Sequence, residues 1–263
     1  DKVYDPETLE KAIVGFLDRW RKFPLLRIYM TSRELGLAND YWGRQARAEY
    51  LEHLKARYGA VAALNERWDS SFTAFDDIVL PTARPDTPLE HAAWEEWIAF
   101  RQKRLFETKQ TGYRLFKKHA PEIPLSSVVS TESIRKQAYT GIDLYQQTKL
   151  QDLNGIDGTT VALAREWNFL DLNTGGPMLT CEWGLFYFPP ADMLRNRSAL
   201  TRQLWQELSG GHSGINLWYW RSPGFNANFV DAVGLPTLLG WELRQAVADF
   251  RKFEHILLDG KRA

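Results

Sequence analysis

The stretch Pro177-Met178-Leu179-Thr180-Cys181-Glu182-Trp183-Gly184 indicates a buried strand that ends in an acidic residue. It is a short apolar run bounded by Gly175-Gly176 on one side and Gly184 on the other, and glycine and proline commonly bound such strands. Burying a carboxylate is costly unless the group is paired or has a chemical role. Glu182 is therefore a candidate catalytic group.

Helical segments flank this strand on both sides. Asp5 and Pro6 predict a helix start, and the helix continues to about Arg21. Helical periodicity recurs from Arg44 to about Trp68, with an interruption at Gly59, and again from Leu89 to His119. The sequence predicts further helices over 132–139, 159–172, 191–208 and 237–258.

Strands are predicted between these helices, over Leu25–Thr31, Leu125–Ser130, Ile142–Gln147, Pro177–Glu182 and Ile215–Trp220. Two glycine-containing segments, 155–158 and 210–211, read as turns. The alternation favours an α/β fold with a parallel sheet, either doubly wound or a barrel. Because function collects at the carboxyl ends of such strands, we expect Glu34, Ser130, Gln147, Glu182 and Arg221 at one edge. His212 precedes a strand and is expected at the opposite edge.

Composition excludes several classes of partner. Lys and Arg number 33, Asp and Glu also number 33, and the resulting zero net charge argues against nucleic acid and anionic membrane surfaces. The sequence contains no apolar run of membrane-spanning length, so we expect a soluble protein, either cytoplasmic or secreted. Its five histidines lack metal-ligand spacing and no strand leads into a phosphate loop, so neither a metal nor a cofactor is expected.

Aromatic residues are abundant, and the 11 tryptophans are the most informative of them. Flat aromatic faces stack on the apolar faces of sugar rings, so an excess of Trp is typical of a carbohydrate site. Packing in the core explains any single Trp equally well.

Two runs resemble a known family. Leu54–Trp68, followed by Phe75-Asp76-Asp77-Ile78, resembles the segment after the acid/base strand in family 42 of the glycoside hydrolases, and Leu217-Trp218-Tyr219-Trp220-Arg221 resembles its last barrel strand. That family consists of β-galactosidase-type enzymes on a (β/α)8 barrel, and the resemblance extends from about Asp5 to Leu258. It implies a retaining glycosidase acting on a β-linked galactoside or a polysaccharide-derived oligosaccharide.

The resemblance also implies roles for individual residues. Glu34 matches the proton-donating glutamate after the fourth strand, and Glu182 matches the nucleophile after the seventh. Arg221 would help to keep Glu182 ionised, while an apolar neighbourhood would raise the pKa of Glu34. The residues expected to line the sugar site are Arg33, Asn39, Asp40, Trp42, Tyr145, Gln147, Trp183, Trp220 and Arg221.

One departure from the family concerns the proton donor. The family normally has Asn before its acid/base, whereas Arg33 precedes Glu34 in this chain. Asn39-Asp40 is a displaced Asn-acid pair, which makes Asp40 an alternative proton donor. We favour Glu34 because it directly follows the strand.

A second departure concerns the barrel itself. If the five predicted strands are the fourth to the eighth, residues 1–263 form a single catalytic-barrel portion with a helical insertion at about 44–119, and the first three strands are absent. The chain is then a fragment, one polypeptide of a split or cleaved enzyme, or a smaller open sheet. The first two readings predict a companion segment that pairs with both outer strands. Relatives in this family are often trimeric, so a homo-oligomer is a further expectation.

Two other functional classes stay open at this point. A degenerate barrel that binds carbohydrate without turnover would fit the Arg33 substitution and the missing strands. An open α/β domain that binds a cofactor fits less well, because the sequence lacks a phosphate-binding motif.

Overall fold

The computed structural model describes residues 5–23, 28–30, 43–81, 85–130, 141–157, 177–183, 199–209, 212–217, 221 and 229–259. The chain divides into two compact units. The first, which we call the helical unit, comprises Asp1–Leu26, Leu35–Ile123 and Glu132–Leu150. The second, the sheet unit, comprises Arg27–Glu34, Pro124–Thr131 and Gln151–Ala263.

Capped helices build the helical unit. Asp5 begins the first by accepting a hydrogen bond from the Thr8 amide at 2.8 Å, and Thr87 and Glu90 form a reciprocal capping box at the start of the longest. The first four of these helices match the predicted ones closely, whereas the short fifth lies where the sequence predicts a strand. They are α1 (Pro6–Trp20), α2 (Arg44–Tyr58), α3 (Val61–Trp68) and α4 (Pro88–His119), with a 3-10 turn at Phe75–Asp77 and a short α5 (Leu144–Thr148).

The predicted interruption at Gly59 is confirmed. Gly59 has a φ of 70° and ends α2, and its amide donates to the Lys55 carbonyl. A left-handed conformation of this kind favours glycine, because other residues meet a steric penalty there. The chain therefore turns at Gly59 and begins α3 at Val61.

An aromatic cluster forms the core between α2, α3 and α4. Trp97 and Tyr50 are fully buried, and their rings meet edge to face with centroids 5.1 Å apart. Such a pair contributes about 0.5–1.5 kcal/mol beyond its buried area. Trp68 and Trp94 belong to the same core. Packing thus accounts for part of the tryptophan excess that the sequence associates with sugar stacking.

The helical unit also buries a carboxylate. Glu96 on α4 lies 3.0 Å from His53 Nε2, accepts a 3.0 Å hydrogen bond from the Tyr58 hydroxyl, and lies 3.1 Å from Arg57 Nη1. Burial acts to raise the pKa of Glu96, but the partners outweigh it and hold the pKa below its ordinary value of 4.5. The network joins α4 to α2.

In the described part of the second unit, five parallel strands form one sheet in sequence order. These strands are β1 (Tyr29–Met30), β2 (Leu125–Ser130), β3 (Leu153–Asp157), β4 (Met178–Trp183) and β5 (His212–Leu217). Its helices are α6 (Ala199–Ser209), α7 (Leu238–Lys252) and α8 (Glu254–Asp259). Parallel strands flanked by helices confirm the predicted α/β class.

The third strand lies elsewhere than the sequence predicts. Ile142–Gln147 is not a strand, because Asp143 accepts a hydrogen bond from the Gln146 amide and begins α5. The strand is instead Leu153–Asp157, which includes part of the predicted turn at 155–158. Asn154 and Gly155 have low strand propensity, but β3 is paired on both sides, and such tertiary pairing overrides propensity.

Several predicted elements fall outside the described residues. These are the helices at 132–139 and 159–172, the parts of two predicted strands at 25–27, 31 and 218–220, and the first part of the helix at 191–208. Within the described part of the chain, no helix is both long enough and apolar enough to cross a membrane.

Candidate active site

The carboxyl ends of three neighbouring strands lie level with one another. Ser130 ends β2 and pairs with Asp157, and Asp157 ends β3 and pairs with Cys181 of β4. Adjacent strands are about 4.8 Å apart, so these positions form a row across the edge of the sheet. Glu182 follows Cys181 directly, which places its backbone beside this row, as the sequence predicts for a nucleophile at a strand end.

The other end of the sheet holds a buried polar cluster. His212 begins β5, and its Nδ1 lies 2.7 Å from Oε2 of Glu207 on α6. The Thr180 hydroxyl of β4 contacts His212 Nδ1 and lies 3.2 Å from Glu207 Oε2. All three side chains are buried. His212 therefore lies at the amino end of its strand, as predicted, and helps to fix α6 against β4 and β5.

Most of the predicted site residues lie outside the part of the chain that the structure describes. This holds for Arg33, Glu34, Asn39, Asp40, Trp42 and Trp220. For Glu182 and Trp183 the structure gives the strand position but not the side chain. Their proposed roles stay predictions.

Two predicted site residues belong to a different kind of element from the one expected. Tyr145 and Gln147 lie on α5 of the helical unit and not at a strand end. Tyr145 is exposed and its ring lies 3.9 Å from Lys149 Nζ, whereas Gln147 is buried. The strand predicted for both residues, and with it the strand-end argument for Gln147, is therefore wrong.

Arg221 is described and exposed. Its guanidinium donates a hydrogen bond to the carbonyl of Ala232. The predicted effect of Arg221 on the ionisation of Glu182 stays a prediction.

A groove of about 810 Å³ lies between α2 and α4 of the helical unit. Leu51 and Phe100 line it, together with cations and carboxylates that pair with each other, such as Arg104 with Glu49 at 2.8 Å. The groove therefore favours neither an anionic nor a cationic ligand. The described residues also contain no group of three His, Cys, Asp or Glu side chains that could hold a metal ion.

Comparison with known sequences identifies the family. Residues 3–233 match the profile of glycoside hydrolase family 42, which is described as beta-galactosidase. The chain belongs to this family.

Individual relatives of this family-42 chain are distant. A beta-galactosidase from an Arthrobacter species is 23% identical over 151 residues, which is 55% of this chain and 21% of that protein. The beta-galactosidase structure from Marinomonas ef1 superposes with a TM-score of 0.77 at 14% identity, over 98% of this chain and 44% of the other. The beta-galactosidase structure from Bacillus circulans sp. alkalophilus gives a TM-score of 0.73 at 17% identity, over 97% of this chain and 40% of the other.

These structural neighbours are TIM-barrel enzymes, so the predicted fold class is confirmed. The family-42 chain spans less than half of the length of each of them.

Sequence reasoning missed Asp157, which ends β3 in the row of strand ends. A spacing argument could have found it. Parallel neighbours need a crossover of a dozen or more residues, usually with a helix. The predicted strand at Ile142 begins too soon after Ser130 to allow a comfortable crossover, whereas Leu153 leaves ample room. Asp157 is an additional candidate for contacting substrate.

Proposed function

We propose that this chain carries the two catalytic glutamates of a retaining β-galactosidase-type glycoside hydrolase. Glu182 is the nucleophile and Glu34 is the acid/base. The observation that carries the proposal is family-42 membership over residues 3–233. The position of Glu182 at the carboxyl end of β4, beside the row formed by Ser130 and Asp157, supports it.

Strand register supports the same role for Glu34. Met30 of β1 pairs with Ser126 of β2. Glu34 follows Met30 by as many residues as Ser130 follows Ser126. If the same register is extended, Glu34 comes level with Ser130 and therefore with the row beside Glu182. Asp40 has no such correspondence, which favours Glu34 as the proton donor.

The proposal requires a curved sheet. β1 and β4 are three strands apart, so their backbones would be about 14 Å from each other in a flat sheet. Parallel side chains could not then reach a common bond. In a closed barrel the interior side chains point toward one axis and converge, which allows the separation of about 5–5.5 Å that a retaining mechanism needs.

The reaction proceeds in two displacements. The Glu182 carboxylate attacks the anomeric carbon while Glu34 donates a proton to the glycosidic oxygen, and the alcohol leaves. Glu34, now a carboxylate, takes a proton from water, and the resulting hydroxide attacks the anomeric carbon of the glycosyl ester. The sugar is released with its configuration retained, and Glu182 is again a carboxylate.

A companion segment would complete the active barrel. Within the described residues, β1 pairs only with β2 and β5 only with β4, so both are outer strands of the sheet. Unpaired edges of parallel strands promote association. We infer that further barrel strands, supplied by a longer chain or by a second polypeptide, pair with both edges, and assays of activity should include them.

The remaining candidate residues would bind the sugar. Aromatic side chains stack on its apolar face, and polar side chains bond its hydroxyls. The proposed set is Arg33, Asn39, Asp40, Trp42, Tyr145, Gln147, Trp183, Trp220 and Arg221. Tyr145 and Gln147 have less support than the others, because they lie on a helix and not at a strand end.

Two variants test the assigned roles. Glu34→Ala should slow aryl β-galactosides with poor leaving groups far more than those with good leaving groups, since only the former need protonation. Azide should restore cleavage by Glu182→Gly and give the galactosyl azide of inverted configuration. Equal losses for all leaving groups would exclude Glu34 as the acid, and a lack of azide rescue would count against Glu182.

A carbohydrate-binding protein without turnover is the second candidate. The observation that favours it is Arg33, which stands where the family normally has the Asn that holds a sugar hydroxyl. The variant Arg33→Asn distinguishes an enzyme from a protein that binds carbohydrate without turnover. A rise in turnover with unchanged sugar binding would indicate a weakened enzyme, whereas complete inactivity of both forms on a broad panel of glycosides would support binding alone.

A further inference from the structure

The helices of the sheet unit cover one face of β5. Ile215 and Leu217 of this strand pack against a buried apolar cluster contributed by α6, α7 and the segment between β5 and α7. Asn216, between them, is exposed, as expected for a residue on the opposite face of a strand. The cluster consists of Leu200, Leu204, Phe229, Leu239 and Ala246.

The pairing between β4 and β5 extends this assignment to β4. Residues that pair across adjacent strands lie on the same face of a sheet. Ile215 pairs with Thr180, and Leu217 pairs with Trp183. Thr180 is independently placed on the helix face, because its hydroxyl contacts Glu207 of α6. Positions 180 and 183 of β4 therefore both belong to the helix face.

The two strands advance unequally between these pairs. On β4, Trp183 follows Thr180 by three residues, whereas on β5 Leu217 follows Ile215 by two. The register of the pairing therefore shifts between these two pairs. One strand thus has two residues, Cys181 and Glu182, opposite the single residue Asn216. Such an extra residue is a β-bulge, and bulges re-aim side chains next to active sites.

We infer that this bulge turns position 182 away from the helices and onto the face of Asn216. In a regular strand, Glu182 would share the face of Thr180 and be directed at α6, where a catalytic carboxylate could not reach a substrate in the barrel interior. With the bulge, positions 181 and 182 both lie on the interior face. The inference rests on the proposed function for its significance, but its geometry is independent of turnover.

The strands are also anchored just before the bulge. His212 pairs with Met178 and Gly214 pairs with Leu179, so β5 contains an extra residue at its amino end. A Cβ atom on Gly214 would lie only 2.7 Å from Leu179 Cδ1, so the Leu179 side chain packs directly over Gly214. Thr180, held by His212 and Glu207, therefore defines where the regular pairing stops and the bulge begins.

Cysteine accessibility in the 263-residue chain tests the inference without any assay of activity. Cys181 is the only cysteine, so a Cys181→Ala background allows single cysteines to be placed at will. Glu182→Cys and Trp183→Cys are the test variants. Asn216→Cys and Leu217→Cys on β5 calibrate the exposed and the covered face. Circular dichroism on each variant confirms that it is folded before its labelling rate with iodoacetamide is measured.

The bulge predicts that Cys at 182 reacts within about threefold of Cys at 216. Cys at 183 should then react at least about tenfold more slowly, close to the rate at 217. A regular strand predicts the reverse, with 183 fast and 182 slow. The reversed order, or equal rates at 182 and 183, would overturn the inference. Correct labelling, together with a wild-type chain that hydrolyses no glycoside even when the segment completing its barrel is present, would instead refute the proposed function and leave the bulge intact.

Discussion

The helical unit and the sheet unit each bury a carboxylate, but they use it differently. Glu96 is joined to His53, Tyr58 and Arg57, which all belong to α2, so it fastens one helix to another. Glu207 is joined to Thr180 and His212, and so it fastens a helix to two strands. Of the two, only Glu207 acts on the strand that carries the proposed nucleophile. Loss of Glu96 should therefore affect stability alone, and loss of Glu207 should affect stability and turnover.

The largest expected effect is that of Glu182→Gln, which removes the nucleophile while keeping its shape. Turnover of an aryl β-galactoside should fall at least about a thousandfold, which corresponds to about 4 kcal/mol of barrier. The melting temperature should change little, and sugar binding measured by calorimetry should persist. The matched change in the helical unit, Glu96→Gln, should leave turnover unaltered. Comparable losses of turnover in both variants would contradict the expectation that Glu96 affects stability alone.

Glu207→Ala should give the next largest effect. Truncating one member of a buried hydrogen-bonded pair costs about 1–3 kcal/mol, because the partner stays buried without its counterpart, and the cavity left by the side chain adds to the loss. Urea unfolding measures this loss, and turnover should also fall under conditions where the variant is folded. Gln206→Ala, an exposed neighbour on α6, is the control and should change stability by less than about 0.5 kcal/mol. Normal turnover in a destabilised Glu207→Ala protein would contradict the role we assign to this cluster.

Glu96→Gln should destabilise the helical unit by about 1–3 kcal/mol at neutral pH. The folded-state pKa of Glu96 is depressed, so its contribution is fully present above the unfolded value near 4.5 and is lost as the pH falls through the lower folded value. Unfolding free energies of the two proteins should converge in that acid range. Glu95→Gln, exposed on the same helix, is the control and should change stability by less than about 0.5 kcal/mol. A difference that persists unchanged at low pH would exclude the ionised carboxylate as its source.

The smallest effect concerns the turn at Gly59. Gly59→Ala should cost about 1 kcal/mol, because alanine is strained at a φ of 70°. A Cβ there would meet no atom within 4 Å, so the cost is one of backbone conformation alone. Gly15→Ala inside α1 is the matched control, since its surroundings are equally open and alanine should stabilise a helix interior by about 0.5–1 kcal/mol. Thermal unfolding of the two variants measures the difference, and equal midpoints would contradict it.

The same contrast explains which features the sequence predicts. Helices depend on local signals, so Asp5 and Gly59 locate the ends of two helices within a residue or two. β3 depends on its neighbours, because Asn154 and Gly155 become a strand through pairing that no local signal records. The candidate site shows the same limit. Glu182 can be predicted from the end of an apolar run, but the bulge that contains it is a property of register between two strands.

Trapping the glycosyl-enzyme tests the central claim most directly. A 2-deoxy-2-fluoro-β-galactoside with a good leaving group slows the second displacement, so the sugar should accumulate as an ester on the nucleophile. The chain, together with the segment that completes its barrel, would be inactivated with this reagent, digested and mapped by mass spectrometry. We predict one adduct, on the peptide that contains Glu182, and none in Glu182→Gln. An adduct on another carboxylate, or steady hydrolysis without any adduct, would contradict the account.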